Sequence, residues 1–438
     1  MSKSILALIF AINLCSSGFA QVDSIRFTRE SYVIKKATNS IQLDGYSNET
    51  AWAEATSFPF IVTDPVWGQA PTERTELYLT YDDEYLYAAG RCFTKDSSQI
   101  IARTLVRDGY RGDDWMTLHI DSRFDKQNAF VFSVYPLGSR YDMATSNDAV
   151  ELGNATFNAA FNMFWEAKSV ITSEGWFWEM KIPLYNLRYK TSDSNIIEMG
   201  ISSTRAIQHK QEYHQFPSIP QNAIEGILKP SLKQPVTFYN LKQQRLFLLT
   251  PYILSSHTRD NSVEGNTIIK DRKWKNTAGL DAKIGVSPYL TLDLTANPDF
   301  SQVEVDDQLI NLTRFSLFFP ERRLFFQEQA GLFEFNLGGN AQLFYSRRIG
   351  VNNGQLTDIY GGGRLTGKLN KNMDIGILNM QTAPASLEDG TNQNSENFGV
   401  IRLRQKVFND RSFVGAMFTN RINSNDQNYA LGFDALIY

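Results

Sequence analysis

The sequence predicts an all-β chain, an N-terminal β-sandwich followed by an antiparallel β-barrel, and three observations carry that expectation. Aromatic residues make up 13% of the 438 positions, the turns are rich in Gly and Asn, and no stretch sustains a helical period. Strand-length segments alternate instead. Between about residues 41 and 205 they are short and have one bulky apolar face, whereas from residue 246 onward they lengthen and oppose an apolar face to a charged one.

The N-terminus comes first. Lys3 precedes the apolar run Ile5 to Leu14 and a small-residue end, Gly18-Phe19-Ala20, the pattern of a secretory signal peptide over residues 1–20 cut after Ala20. The run is about half the roughly 20 residues that a spanning helix needs, so it does not read as an anchor. Removal of the signal leaves Cys92 as the one cysteine, which excludes an internal disulfide framework and a cysteine-rich zinc site. With 43 basic against 47 acidic residues, the charge offers nothing to a nucleic acid.

After an N-terminal segment, residues 21–40, the sandwich pattern begins. "TELYLTYDDEYLYAAGRCF" sets Leu77, Leu79 and Tyr81 on one face, turns at Asp82-Asp83 and returns through Tyr85, Tyr87 and Ala89, a hairpin. "DDWMTLHID" opposes Met116, Leu118 and Ile120 to Trp115, Thr117 and His119 and pairs with "NAFVFSVYPLG". "GWFWEMKIPL" puts Trp176, Trp178, Met180 and Ile182 together, a core face. Residues 41–205 are thus expected as a two-sheet sandwich. Residues 206–245 carry Pro217, Pro220, Pro230 and Pro235 without sustained alternation and read as a linker.

From residue 246 to 438 the strands suit a barrel wall. "NTAGLDAKIGV" opposes Ala278, Leu280, Ala282, Ile284 and Val286 to Asp281 and Lys283, and "YLTLDLTAN" repeats the pattern with Leu290, Leu292 and Leu294 against Asp293. "GGGRLTGKL" and "NFGVIRLRQKVF" continue it with Arg364, Lys368, Arg402, Arg404 and Lys406 on the polar side. A soluble sheet with one wet side also alternates. Export, strand lengths near the roughly 9–11 residues of a tilted bilayer crossing, and short polar turns favour an outer-membrane barrel.

Two resemblances then follow from quoted motifs. "IQLDGYSNETAWAEA", "YDDEYLYAAG", "GDDWMTLHID" and "GWFWEMKIPL" resemble, in order and spacing, a family-9 carbohydrate-binding module. "NPDFSQVEVDDQLINLTRFSLFFPERRLFFQE", residues 297–328, resembles the signature of an outer-membrane family, domain of unknown function 5916. The resemblance implies a periplasmic sandwich on a large barrel. The roughly eight strands after residue 246 are about half the number such barrels use, so the chain is expected to be a fragment or truncated product.

Sugar-binding modules stack rings on aromatic planes and hydrogen-bond hydroxyls with charged groups. The resemblance implies two tryptophans, a glutamate and an arginine; at those places stand Tyr110-Arg111, Thr117 and Ser133, with Phe216 as the ring in the segment His214–Pro220. Trp67 and Trp165, in or near loops, and Trp115, beside Thr117 and His119, complete the candidate set. Trp52, Trp176 and Trp178 read as packing. No cofactor and no metal site is expected; the acidic run Glu304 to Asp307 lacks the spaced, glycine-turned loop of a calcium site.

The function implied is a non-catalytic outer-membrane barrel protein with a glycan-binding periplasmic sandwich. Its partners are a glycan or oligosaccharide, outer-membrane lipid and envelope proteins. The alternatives are a glycan-degrading O-glycosyl hydrolase and an envelope assembly component. Carboxylates for an enzyme exist (Asp113, Asp114, Asp299, Glu304, Asp306, Asp307, Glu321, Glu328), but no nucleophile elbow, HExxH or phosphate loop accompanies them. The stretch 312–328 holds five phenylalanines, and with Asn297, Pro298, Asp299, Phe300, Glu304, Phe319, Pro320, Glu321, Arg322, Arg323, Phe325, Phe326 and Glu328 it forms a junction motif. Residues 299–345 are expected to fold inward as a plug, with Arg314, Arg322 and Arg323 meeting Asp281 and Asp293.

Overall fold

The computed structural model describes residues 29–437 apart from 110–111, 150–156, 160, 190–194, 224, 242–245, 265–266, 288, 299–320, 322, 328, 336, 338–341, 353–354, 371, 387–391 and 409–411. Between Ser31 and Tyr438 the chain forms one compact unit, almost entirely of strands. In order these begin with β1 (Tyr32–Val33), β2 (Thr56–Ser57), β3 (Ile61–Asp64), β4 (Thr75–Tyr81), β5 (Tyr85–Phe93), β6 (Trp115–Asp121) and β7 (Ala129–Val134). Then follow β8 (Arg140–Thr145), β9 (Phe157–Asn158), β10 (Glu166–Thr172), β11 (Gly175–Pro183), β12 (Ile196–Ile207), β13 (Glu212–Phe216) and β14 (Gln234–Tyr239).

These strands make two sheets. One runs β1-β14-β12-β6-β7-β8-β9 with β13 and β3 branching from β12; the other runs β10-β11-β5-β4-β2. Alternation explains which side each strand buries. Leu77, Leu79, Met116, Leu118, Phe132, Trp176, Trp178 and Phe238 all meet in the core between the sheets, each such side chain worth about 1.5–3 kcal/mol of burial.

The expected linker does not exist as such. Residues 206–239 supply the end of β12, all of β13 and all of β14, with Met199 opposite Val236 and Arg205 opposite His214. The prolines bracket these strands instead of ending the domain: Pro217 follows β13 across a cis bond, and Pro235 is the second residue of β14.

An antiparallel sheet of eight strands follows, in simple meander order: β15 (Phe247–Glu264), β16 (Thr267–Ser287), β17 (Leu290–Ala296), β20 (Ile359–Asn370), β21 (Met373–Thr382), β24 (Asn397–Lys406), β25 (Phe413–Ile422) and β26 (Gln427–Leu436). Two short hairpins, β18 (Val351–Asn352) with β19 (Gln355–Leu356) and β22 (Ala385–Ser386) with β23 (Asn392–Gln393), sit in its connections. The sheet is open, with β15 and β26 as edges. Among the described residues no helix is long and apolar enough to cross a membrane.

This sheet buries its charged side and turns its apolar side outward. Leu280, Leu294, Ile401, Leu431 and Phe433 face outward, Phe433 at 75% exposure, while the charged face is covered. There Arg364 donates to Asp293 at 2.9 Å, Lys368 to Asp374 at 2.7 Å and Arg402 to Asp434 at 2.5 and 2.7 Å. The cover comes from the connection between β17 and β20. Asn297 is tied to Tyr360 at the far end of the sheet, Gln329 to Leu332 reach the end nearest the sandwich beside Lys368 and Lys406, and Ile349 returns to Ile359. Phe326, Phe333 and Phe335 lie buried against Leu378, Met380, Val400 and Met417. Gly376 and Gly432 leave room for this, since a side chain at either would collide with Phe333 or Phe335.

Candidate functional site

The non-core face of the larger sandwich sheet carries a polar strip. Register places Thr117 (β6) between Thr204 (β12) and Ser133 (β7), Ser133 beside Tyr141 (β8), and Thr204 beside Gln215 (β13). Thr117 Oγ1 accepts from the Thr204 N–H at 3.2 Å and lies 3.0 Å from His119 Nε2. His119 Nδ1 and Thr204 Oγ1 are buried with no hydrogen-bond partner among the described residues. Burial, with Lys233 nearby, holds the His119 pKa well below its usual value, so the ring is neutral, one nitrogen a donor and the other an acceptor. Burial also brings the Lys233 ammonium down to about 7, and it donates to Ser202 Oγ at 3.0 Å.

Aromatic rings stand at one end of the strip. Trp115 and Tyr213 pack at 6.1 Å between centroids. The loop after β3 carries Trp67, 40% exposed, whose Nε1 donates to the Ile219 carbonyl at 3.1 Å; β3 itself pairs with β13 through Asp64 and Tyr213. Neutral donors and acceptors below ring faces are what a sugar's hydroxyls and C–H faces meet.

Of the predicted sugar contacts, Trp115 and Trp67 lie here, and Tyr110 and Arg111 fall outside the described residues. Two expectations are corrected. Trp165 is buried in the core, its ring edge-on to Phe132 at 5.1 Å, because the chain entering β10 turns inward. Phe216 also points inward, packing on Phe58 at 4.8 Å, since on β13 it is Gln215 that faces the strip. Tyr213 and Thr204 escaped sequence reasoning, as their place depends on pairing between distant strands.

Several of the described carboxylates and histidines are held in hydrogen bonds within the fold. Asp113 Oδ2 accepts from the Arg103 and Thr104 N–H groups while its Oδ1 is buried without a partner among the described residues, and Asp114 accepts from the Gln208 N–H. Glu179, Glu49 and Asp44 bring oxygens within 4.8 Å of one another, yet Glu179 already accepts from the Asp44 and Gly45 N–H groups and Trp52 Nε1 at 2.7–2.9 Å. Burial raises the Glu179 pKa to about 6. His214 lies between Thr75 Oγ1 at 2.7 Å and Glu212 Oε1 at 2.5 Å, a nucleophile–base–acid order. The ring is fully enclosed, however, and Arg205 donates to Thr75 Oγ1 and to the Arg74 and Phe93 carbonyls. This network clasps the two sheets together.

The junction motif is described at Asn297, Pro298, Glu321, Arg323, Phe325 and Phe326; Asp299, Phe300, Glu304, Phe319, Pro320, Arg322 and Glu328 lie outside the described residues, as does Arg314. Arg323 does not meet Asp281 or Asp293. Glu321, two residues earlier, takes its guanidinium at 2.8 and 2.9 Å, and the Ser346 and Ile349 carbonyls accept at 2.7 Å. Asp293 is satisfied within the sheet by Arg364 and Lys283, and Asp281 by Thr295. The Arg323 guanidinium lies 4.3 Å from the Phe326 ring centre, so Glu321 and Arg323 fix the return of the inward segment.

Residues 243–431 match the family model described as Domain of unknown function (DUF5916). No curated protein matches the chain. Among solved structures, a carbohydrate binding module family 9 from Caldicellulosiruptor kristjanssonii in complex with cellotriose is similar at 14% identity. That match covers 49% of this chain and 95% of the module, with a TM-score of 0.35. The complex of such a module from the same organism with glucose gives 14% identity, 48% and 98% coverage and a TM-score of 0.34.

Proposed function

We propose that the chain is a glycan-binding protein of the outer membrane, seated in lipid by its DUF5916-matching sheet and presenting the polar strip of its sandwich to sugars on the periplasmic side. One observation carries the sugar reading. Among the described residues His119 Nδ1 and Thr204 Oγ1 are buried without partners, on the sheet face that also carries the Trp115–Tyr213 ring pair, and buried polar atoms without partners are costly unless something comes to meet them. The outward apolar face supports the lipid seat, because a large exposed apolar patch marks an interaction surface and a sheet with its charges inward suits hydrocarbon outside.

The test uses the full chain in detergent micelles, titrated with neutral oligosaccharides, cellotriose and glucose among them. Binding that Trp115→Ala weakens by tenfold or more, with the melting temperature unchanged, is the expected result. Absence of binding across a glycan array, or binding indifferent to both Trp115→Ala and His119→Phe, overturns the sugar reading.

A further inference from the structure

We propose that residues 217–223 and 225–233 form a lid over the polar strip, and that a sugar reaches His119 and Thr204 when this segment lifts, a step that rests on the sugar reading of the strip. Thr117, His119, Ser202 and Thr204 are each at most 6% exposed, so an incoming ring meets other protein atoms first. Over Ser202, the cross-strand neighbour of His119, those atoms belong to the segment. The Ile227 carbonyl lies 3.5 Å from Ser202 Oγ, and Lys233 Nζ lies 3.0 Å from that hydroxyl and 3.4 Å from the same carbonyl. At the other end Gln215, the neighbour of Thr204, donates to the Pro217 carbonyl at 3.2 Å.

The segment is built to move as a unit. It leaves β13 at Phe216, opposite Ser203, and enters β14 at Gln234, opposite Ile201. Its ends therefore meet the same strand, β12, two residues apart, which is the closed neck of a compact surface loop. Two short turns, Gly226–Leu228 and Pro230–Leu232, fold it back on itself. A side chain at Gly226 would come within 2.7 Å of Ile219 and 3.0 Å of Ala223. None of its described residues belongs to the core between the two sheets, so it can lift while that core stays closed, as local opening requires. Polar latches hold its rim. Trp67 Nε1 donates to the Ile219 carbonyl at 3.1 Å. Asp148, 1% exposed, accepts from the Ser231 N–H at 2.8 Å and from Ser231 Oγ at 2.7 Å, and Lys229 Nζ donates to the Asp148 and Ala149 carbonyls at 3.1 and 3.2 Å. A hydrogen bond to a carboxylate weighs about tenfold in such an opening equilibrium, enough to keep the lid shut and little enough for a ligand to overcome.

The test uses the full chain in detergent micelles, with Cys15→Ser and a thiol placed under the lid by Ser202→Cys. Iodoacetamide is expected to modify position 202 at least tenfold faster than Cys92, which is buried in the core and reports opening of the whole sandwich. Ser231→Ala, which cuts the Asp148 latch, should raise the rate at position 202 about tenfold and leave that of Cys92 unchanged. With Ser202 intact, the same Ser231→Ala should raise the association rate of cellotriose several-fold. Equal rates at position 202 and Cys92, or a rate at position 202 indifferent to both Ser231→Ala and Asp148→Asn, overturn the lid. Latch-dependent modification in a chain that binds no oligosaccharide upholds the lid and overturns the sugar reading instead. Should Ser202→Cys lower the melting temperature, amide hydrogen exchange of the unaltered chain decides. Exchange of residues 225–233 in one concerted step ahead of β12 upholds the lid, and exchange only together with β12 overturns it.

Discussion

The sandwich and the eight-stranded sheet share one sequence period and bury opposite faces. In β6 the apolar set Met116, Leu118 and Ile120 is fully enclosed. In β24 the outward residue is Ile401, at 45% exposure, while its neighbour Arg402 is buried. Alternation states that a strand has two different sides; what lies above each side decides which is inside. The sandwich has a second apolar sheet to close on. The eight-stranded sheet instead has a charged concavity filled by its own inward segment, leaving its apolar side to the surroundings.

Substitutions that treat the two regions alike should separate them. The largest effect is expected in the sandwich core, where Trp178→Ala loses about 3–5 kcal/mol of stability by chemical denaturation of the full chain. In the sheet, the comparable loss follows from the polar side: Asp293→Ala removes the buried carboxylate that Arg364 and Lys283 share and costs about 3–5 kcal/mol. A neutral Asp293→Ala would place that face in water and collapse the contrast.

Ile401→Arg gives the sharper test. In lipid it costs about 2–4 kcal/mol if the residue sits near the bilayer midplane, whereas on a water-exposed face it changes stability by under about 0.5 kcal/mol. Folding measured in vesicles and again in aqueous buffer separates these outcomes.

The smallest effect concerns Glu179. Its pKa is raised from 4.5 to about 6 by burial, so the folded state holds its proton more firmly than the unfolded chain. This group's contribution to stability is greatest below about pH 4.5, declines as pH rises through about 6, and is constant above. Glu179→Gln should flatten that slope in a series of melting temperatures. It should also lower stability at neutral pH, because its amide NH₂ cannot accept the N–H donors that the second oxygen takes.

Much of the architecture was legible because period-two patterns are local. Leu77 and Leu79, or Trp176 and Trp178, need no partner to declare their face. Residues 206–239 were illegible because prolines normally end strands, yet Pro217 and Pro235 lie at strand margins where the missing N–H is tolerated. At the polar strip, Trp115, Thr117 and His119 declared themselves by alternation on one strand. Thr204 joins them only through pairing 87 residues away in sequence. Trp165 misled for the opposite reason: a loop residue has no period, so nothing in the sequence says that its ring turns inward.

The pairing of β1 with β14 has a consequence in time. Tyr32 and Val33 lie parallel to Val236 and Thr237, so the first strand of the sandwich closes against the last. A ribosome or a translocation channel releases the chain from one end. The opening strand must therefore wait, unpaired, for some two hundred residues to arrive, and loop closure over such a distance is slow. Within the sandwich, completion is set by its final strand, and whatever delays that strand prolongs the interval in which the edge of β14's future neighbour is open to other chains.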